Sequence, residues 1–223
     1  MIIALVSQKG GVAKSTLSAA IAWEMQARGL NVLVVDSDPQ GTVRTTGEVA
    51  AELGVSAPSI VALGRDMYRP EQLPRLAQSY DHVVIDTPGR MGDVQRAALM
   101  VADLALIPIG QSAADAWASA ATVDLVKEAQ VTRPGLRVAL VITRCAPRTV
   151  LGRGARDVAA ESGLPVLKTE TSFRIAWQES LPAGLGVAQY APKDRSAEEA
   201  RGLVDELLEI GEKKKARRAR HGR

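Results

Sequence analysis

A chain of 223 residues with 46% hydrophobic content can bury one substantial core. Its one cysteine, Cys145, excludes an intramolecular disulfide and an intrachain zinc cluster and reads as cytosolic, and no apolar run reaches the ~18 residues that cross a bilayer. The net charge of +3 conceals an asymmetry: residues 213–223 hold three Lys and four Arg, and without that +7 the first 212 residues carry −4.

Ile2-Ile3-Ala4-Leu5-Val6 predicts a buried strand, too short and too lacking in a basic leader to be a signal peptide. It runs directly into Gln8-Lys9-Gly10-Gly11-Val12-Ala13-Lys14-Ser15-Thr16. An amphipathic helix over 15–28 follows, with Leu17, Ala20, Ile21 and Met25 at helical spacing and Gly29 as its stop. Strand, glycine loop, Lys-Ser-Thr and helix together form the layout of a phosphate-binding P-loop. Backbone N–H groups and a helix N-terminus cradle phosphate oxygens, the lysine neutralises them and the hydroxyl takes a magnesium position. The common spacing G-x-x-x-x-G-K-[ST] would place glycines at 8 and 13, where this chain has Gln8 and Ala13. Its glycines stand at 10 and 11, behind a second lysine, Lys9.

The next apolar run, 32–36, ends at Asp36 and leads into Ser37-Asp38-Pro39-Gln40. Two carboxylates at i and i+2 face one crevice if the chain bends at Pro39; an ordinary Asp-Pro loop is the alternative. Less defined helices fall within 41–80. Val83-Val84-Ile85-Asp86-Thr87-Pro88-Gly89 is a strand ending in aspartate, the form of a magnesium-holding carboxylate. Helices over 93–102, 115–130 and 150–162 alternate with strands at 82–86, 104–109 and 137–142 and a shorter apolar run at 164–167. This alternation predicts an α/β fold, a doubly wound, mainly parallel sheet flanked by helices, with residues 1–212 as one domain. Ser196-Ala197-Glu198-Glu199 has a capping-box pattern and opens a last helix with Ala200, Leu203, Val204, Leu207 and Leu208 at 3–4 spacing. The basic block 213–223 beyond it is expected to be disordered. It suits a polyanion such as DNA and serves equally as a solubilising tail.

In order, K-G-G-x-x-K-[ST], Asp36-x-Asp38-Pro39-Gln40 and Ile85-Asp86-Thr87-Pro88 resemble the deviant Walker A ATPases of the ParA/MinD family. The likeness is greatest to small plasmid partition ATPases without an N-terminal DNA-reading domain. Pro108-Ile109-Gly110-Gln111-Ser112, Asp115-Ala116-Trp117-Ala118 and Phe173–Ser180, with Gly186, Val187 and Pro192, are similar to further segments of those proteins. The resemblance implies a P-loop ATPase using ATP and Mg²⁺. Gly10, Gly11, Val12 and Ala13 would supply the cradle, Lys14 would grip the β- and γ-phosphates, Ser15 would ligate Mg²⁺ and Thr16 would reach the α-phosphate. Asp86 would hold the metal through water, Asp36 would lie close to it, and Asp38 would position the attacking water. Lys9 would cross the interface of an ATP-sandwich homodimer to touch the partner's nucleotide. Ala13 departs from the family's glycine and places a Cβ in the loop. Thr143-Arg144 stands where relatives often place an asparagine near the base, which leaves Pro192 and Asp194 as base-contact candidates. His82 and Cys145 read as structural, and Trp117 and Trp177 as packed core or interface aromatics.

By that resemblance the chain is a cytoplasmic, nucleoid-associated DNA-segregation ATPase. Its ATP-bound dimer coats nonspecific DNA, and a centromere-binding adaptor, ParB-like or small and ParG-like, stimulates a slow hydrolysis. The alternatives are a nucleotide-gated positioning scaffold for a protein cargo and a MinD-like regulator of cell division. Against a membrane-bound form, residues 211–223 contain no apolar side chain larger than alanine. Iron–sulfur relatives need cysteines this chain lacks, and amidotransferase-like synthases would bring a larger substrate domain.

Overall fold

The computed structural model describes the chain except residues 91, 147, 148, 222 and 223, and the backbone alone at 113, 116, 118, 150–153 and 213–221. Six strands, β1 (Ile2–Leu5), β2 (Val32–Asp36), β3 (Ser59–Ala62), β4 (His82–Asp86), β5 (Leu104–Ile109) and β6 (Arg137–Ile142), form one parallel sheet in the order β3-β2-β4-β1-β5-β6. The helices are α1 (Lys14–Ala27), α2 (Thr42–Glu52), α3 (Leu73–Leu76, extended by a 3₁₀ turn at Ala77–Ser79), α4 (Gly92–Val101), α5 (Ala113–Thr132), α6 (Val150–Ala160), α7 (Ala176–Glu179), α8 (Val187–Tyr190) and α9 (Arg195–His221).

Strands covered on both faces need apolar residues on both, and β2 and β5 are buried at every position. Ile3, Leu5, Val34, Val84 and Leu106 point to one side, where Leu17 and Trp23 of α1 and Leu203 and Leu207 of α9 cover them. Ala4, Val6, Val35, Ile85 and Ile107 point to the other, against Leu99 of α4, Val126 of α5 and Ala155 of α6. The first loop leaves the carboxyl end of β1, beside the ends of β4 and β5, where open α/β sheets hold their ligands.

Four local expectations differ from the structure. The edge strand β3 (Ser59-Ile60-Val61-Ala62) was not anticipated: its apolar run, Ile60–Leu63, is only four residues long, and the strand is only half covered. The run at 164–167 forms a single bridge, Leu140↔Val166, instead of a strand. Leu140 N–H donates to Pro165 O and Leu167 N–H to Leu140 O, but Pro165 has no N–H to extend a ladder. At the start of α9 the cap is Asp194, whose Oδ1 accepts from Ser196 N–H at 2.8 Å and Ser196 Oγ at 2.6 Å. Glu199 turns away from the helix end and accepts from Ser172 N–H and Oγ. The backbone of 213–221, set apart in sequence as a disordered tail, continues α9. Ala, Lys and Arg are good helix formers, and elongating a helix already packed on the domain needs no new nucleus. The cationic side chains assigned to that tail lie outside the described residues.

Candidate functional site

The loop between β1 and α1 turns through two left-handed residues, Gly11 at φ 75° and Ala13 at φ 65°. Ala13 is the N-cap of α1 and makes no side-chain cap bond. The free N–H groups of the first turn therefore face the loop, the arrangement that binds anions. A left-handed conformation is natural for glycine and strained for alanine, so the family departure noted at position 13 falls where a Cβ is unfavourable.

Lys14 is buried at the start of α1, and its Nζ donates to Lys9 O at 3.3 Å. Burial pulls its ammonium below the ordinary lysine range, against the pull of Asp86 and then Asp38 in the other direction. These three residues thus meet at one place. A cavity of ≈ 590 Å³ is lined by Lys14 and Asp38 with Gly10, Ser15, Thr16 and Gly89 among others, while Asp86 is not among its walls.

Asp86 ends β4 and is completely buried. Its Oδ1 accepts from Ser18 Oγ at 3.1 Å, while Oδ2 is buried without a donor. Burial pushes the carboxyl up to about 7; the Ser15 and Ser18 hydroxyls and Lys14 oppose that rise, and Asp36 adds to it. Asp36 is the register partner of Asp86 across β2 and β4. Its own oxygens are already engaged. Oδ1 accepts from Asp38 N–H at 3.1 Å and Oδ2 from Arg44 N–H at 2.9 Å, with Arg44 Nε at 3.6 Å. Asp36 therefore builds the turn that presents Asp38, whose Oδ1 accepts from Gln40 N–H at 2.9 Å.

An orphaned, buried carboxylate oxygen beside a serine hydroxyl is a fit for Mg²⁺. Both are hard oxygen donors, and a dication there would hold Asp86 ionised. Among the described residues no three His, Cys, Asp or Glu gather into a metal cage. Mg²⁺ bound through one or two carboxylates and substrate phosphates requires none.

Lys9 lies on the opposite rim and pairs with Asp115 of its own chain. Burial alone would push the Asp115 carboxyl up; Lys9 and the Ser112 hydroxyl and N–H outweigh it and hold the group below the usual range. Ser112 and Asp115 also form a reciprocal capping box on α5. A second cavity, ≈ 520 Å³, is bounded by Lys9, Asp115, Gln111, Thr143, Arg144 and Phe173. Arg144, left-handed at φ 54°, donates to Gly11 O at 2.8 Å and lies 5.3 Å from the Phe173 ring centre, bracing the loop from outside.

A third cavity, ≈ 210 Å³, adjoins Thr16 and Leu17 and is lined further by Thr171, Ser172, Arg174 and Gln178. Pro192 and Asp194, the base-contact candidates, are not among its walls. The Asp194 carboxylate is occupied by Ser196 and by Arg174 at 2.9 Å, and Pro192 O accepts from Arg201 at 3.4 Å. Residues from 171–178 supply part of the cavity's walls; Trp177, one of them, is buried in the core, while Trp117 is 75% exposed. Sequence reasoning also missed Ser18, Gln95 and Asp115 as participants. A polar Ser18 on the otherwise apolar face of α1 was the one local signal among them. Cys145 is buried, and burial with Glu170 nearby pushes its thiol up to about 11.

The sequence profile of the CobQ/CobB/MinD/ParA nucleotide binding domain matches residues 3–185. The maintenance of carboxysome distribution protein A of Halothiobacillus neapolitanus is 31% identical over 209 residues, which are 92% of this chain and 95% of that protein. The chromosome-partitioning ATPase Soj of Thermus thermophilus is 26% identical, covering 92% of this chain and 94% of its own. The fold is similar to that of the septum site-determining protein MinD complexed with Mg-ADP from Pyrococcus horikoshii, with a TM-score of 0.72 at 19% identity over 94% of this chain and 96% of that one.

Proposed function

The chain belongs to the CobQ/CobB/MinD/ParA family of nucleotide-binding domains, and from that membership we propose that it is a DNA-segregation ATPase, an ATP-gated dimer that moves cargo over nonspecific DNA. The observation that carries the reading is a cavity behind a helix N-terminus lined by Lys14, Ser15 and Asp38, with the buried Asp86 close enough to act on the Lys14 charge. The N–H groups of Gly10–Thr16 hold the phosphate oxygens, and Lys14 leaves Lys9 O to neutralise the β- and γ-phosphates. Ser15 and Asp86 would hold Mg²⁺, which would offset the charge developing between those phosphates. Asp38, at the mouth of the same cavity, accepts a hydrogen bond from water and orients it for attack. Lys9, released from Asp115, supplies a cation to the nucleotide of a second copy, which makes dimerisation depend on ATP.

DNA enters through charge. A dimer doubles the number of phosphates that basic side chains neutralise, and affinity rises steeply with that number. A centromere-binding adaptor that stimulates hydrolysis would then release the dimer. The test is binding to a random-sequence duplex with ATP–Mg²⁺, with ADP–Mg²⁺ and with neither, over a salt series. Tight, salt-sensitive binding with ATP alone is expected. Equal binding in all three states would sink the gating, and no binding would sink the DNA track.

A second reading, a protein body as cargo, is favoured by the 31% identity to a protein named for carboxysome distribution. Deleting the gene separates the two. Loss of a plasmid or chromosome from daughter cells supports the first reading, and clumping of a protein body with normal DNA inheritance supports the second.

A further inference from the structure

The backbone pairing of β1 with β4 runs from Ile2↔Val83 to Leu5↔Asp86 and stops there. Beyond that point one strand becomes the phosphate loop and the other the segment Asp86–Gly89, and side chains continue the stitching. Thr87 Oγ1 donates to Leu5 O at 2.6 Å. Gln95, in the first turn of α4, donates through Nε2 to Ser7 O at 3.0 Å and to Pro88 O at 2.6 Å. Because both neighbours of the nitrogen are carbonyls, the orientation of the amide is fixed.

Gln95 is fully buried, and its Oε1 has no donor. A buried acceptor without a donor is unfavourable, and an apolar side chain of the same shape would avoid it. The two N–H donors are therefore what the carboxamide contributes. The segment it grips lies on the phosphate loop itself. A Cβ at Gly89 would stand 3.4 Å from Lys14 Nζ and 3.5 Å from Gly10 N.

We propose that Gln95 is a positioning residue for hydrolysis: by bridging Ser7 O and Pro88 O it fixes the spacing between the phosphate loop and the Asp86–Gly89 segment, and so between Lys14 and Asp86. The inference rests on the reading that ATP is hydrolysed at this site. Gln95 lines none of the three cavities and acts through the two carbonyls. Without it the N–H cradle that binds phosphate remains, while the alignment of lysine, aspartate and γ-phosphate loosens. A misplacement of about 1 Å at a reacting centre can cost on the order of a hundredfold in rate.

The experiment compares the full-length wild type with Gln95→Met, which keeps the shape and removes both donors. Steady-state ATP turnover is measured together with the Kd of a fluorescent ADP analogue. The expected result is a loss of about tenfold or more in kcat, with the ATP KM and the ADP Kd within about threefold of wild type. Should Gln95→Met fail to fold, Gln95→Glu, which sets an acceptor against the same two carbonyls, takes its place with the same expected split. A folded variant with wild-type kcat overturns the inference. So does an equal loss of kcat and ADP affinity, which is what collapse of the cradle itself would give. Absence of turnover in a wild type that binds ATP would overturn the hydrolysis reading, and this inference with it.

Discussion

Replacing Asp86 with asparagine tests the electrostatics of the site most directly. The Asp86 carboxyl is fully buried and pushed from 3.8 to about 7, mainly by burial. In the unfolded chain it ionises near 3.8, so between those values the folded state holds a proton that the unfolded state has released. Stability from this group is thus complete below pH 3.8, falls as pH rises through the window, and is level above 7. At about 1.4 kcal/mol per pH unit, the whole penalty is at most about 4 kcal/mol above pH 7. Asp86→Asn keeps the shape and the bond from Ser18 while removing the charge. Nucleotide-free Asp86→Asn is therefore expected to be more stable than wild type at pH 8.5, by about 2–4 kcal/mol. That advantage should shrink by about 1 kcal/mol on going to pH 6. Urea unfolding of both proteins across pH 6–8.5 measures it. Mg²⁺–ADP should narrow the gap further by stabilising the ionised wild type alone, since a ligand of the folded state shifts stability by mass action. A difference that stays constant with pH would refute the assignment of a perturbed, orphaned carboxylate.

Other consequences follow from the same geometry. Asp115→Asn keeps the cap on α5 and removes the charge that holds Lys9; an exposed pair of this kind is worth about 0.5–1 kcal/mol. The ATP-dependent dimer should then form at roughly two- to fivefold lower concentration in sedimentation, whereas Lys9→Ala should bind ATP and stay monomeric. An unchanged ATP dimer in Lys9→Ala removes the lysine from the interface. Truncation after Gly211 deletes seven cationic residues, and if they contact DNA the slope of log K against log salt falls by up to about 6; an unchanged slope makes them passive. Ala13→Gly relieves about 1–2 kcal/mol of left-handed strain and adds about 0.4–1 kcal/mol of unfolded-chain entropy. A small net gain in Tm is expected, and a loss would mean that the alanine methyl packs usefully.

The sequence carried local information and lost what depends on distant pairing. β2 and β5 were legible because burial on both faces demands unbroken apolar runs. The edge strand β3, half covered, offered only the four-residue run Ile60–Leu63, and 164–167 misled because Pro165 removes one N–H from an otherwise suitable run. In the site, Lys14, Ser15, Asp38 and Asp86 stood out through motif spacing. Their partners did not: the bond from Ser18 to Asp86 spans 68 residues, that from Gln95 to Ser7 spans 88, and that from Lys9 to Asp115 spans 106. Asp194 was singled out as a base contact only through its likeness to a family segment. Its carboxylate, however, is committed to the cap of α9 and to Arg174.

The two lysines of the loop explain why binding and assembly can be one event. In the structure each is held by an oxygen of the chain itself, Lys14 by the carbonyl of Lys9 and Lys9 by the carboxylate of Asp115. A phosphate oxygen is a stronger, charged acceptor than a carbonyl, so on the proposed reading nucleotide would draw Lys14 away from Lys9 O and free the backbone of the residue that would reach the partner. In the proposed dimer, Lys9 would then exchange one carboxylate for the phosphates of a second nucleotide. The two states differ little in the number of charge-assisted bonds, so the balance is set by how many phosphates are present. That makes a γ-phosphate the natural discriminator between monomer and dimer. Accordingly, Lys14→Ala should abolish both ATP binding and dimerisation, while Asp115→Asn should ease dimerisation without restoring it to the ADP state. A stable dimer of Asp115→Asn with ADP would mean that Asp115, rather than the nucleotide, is the gate.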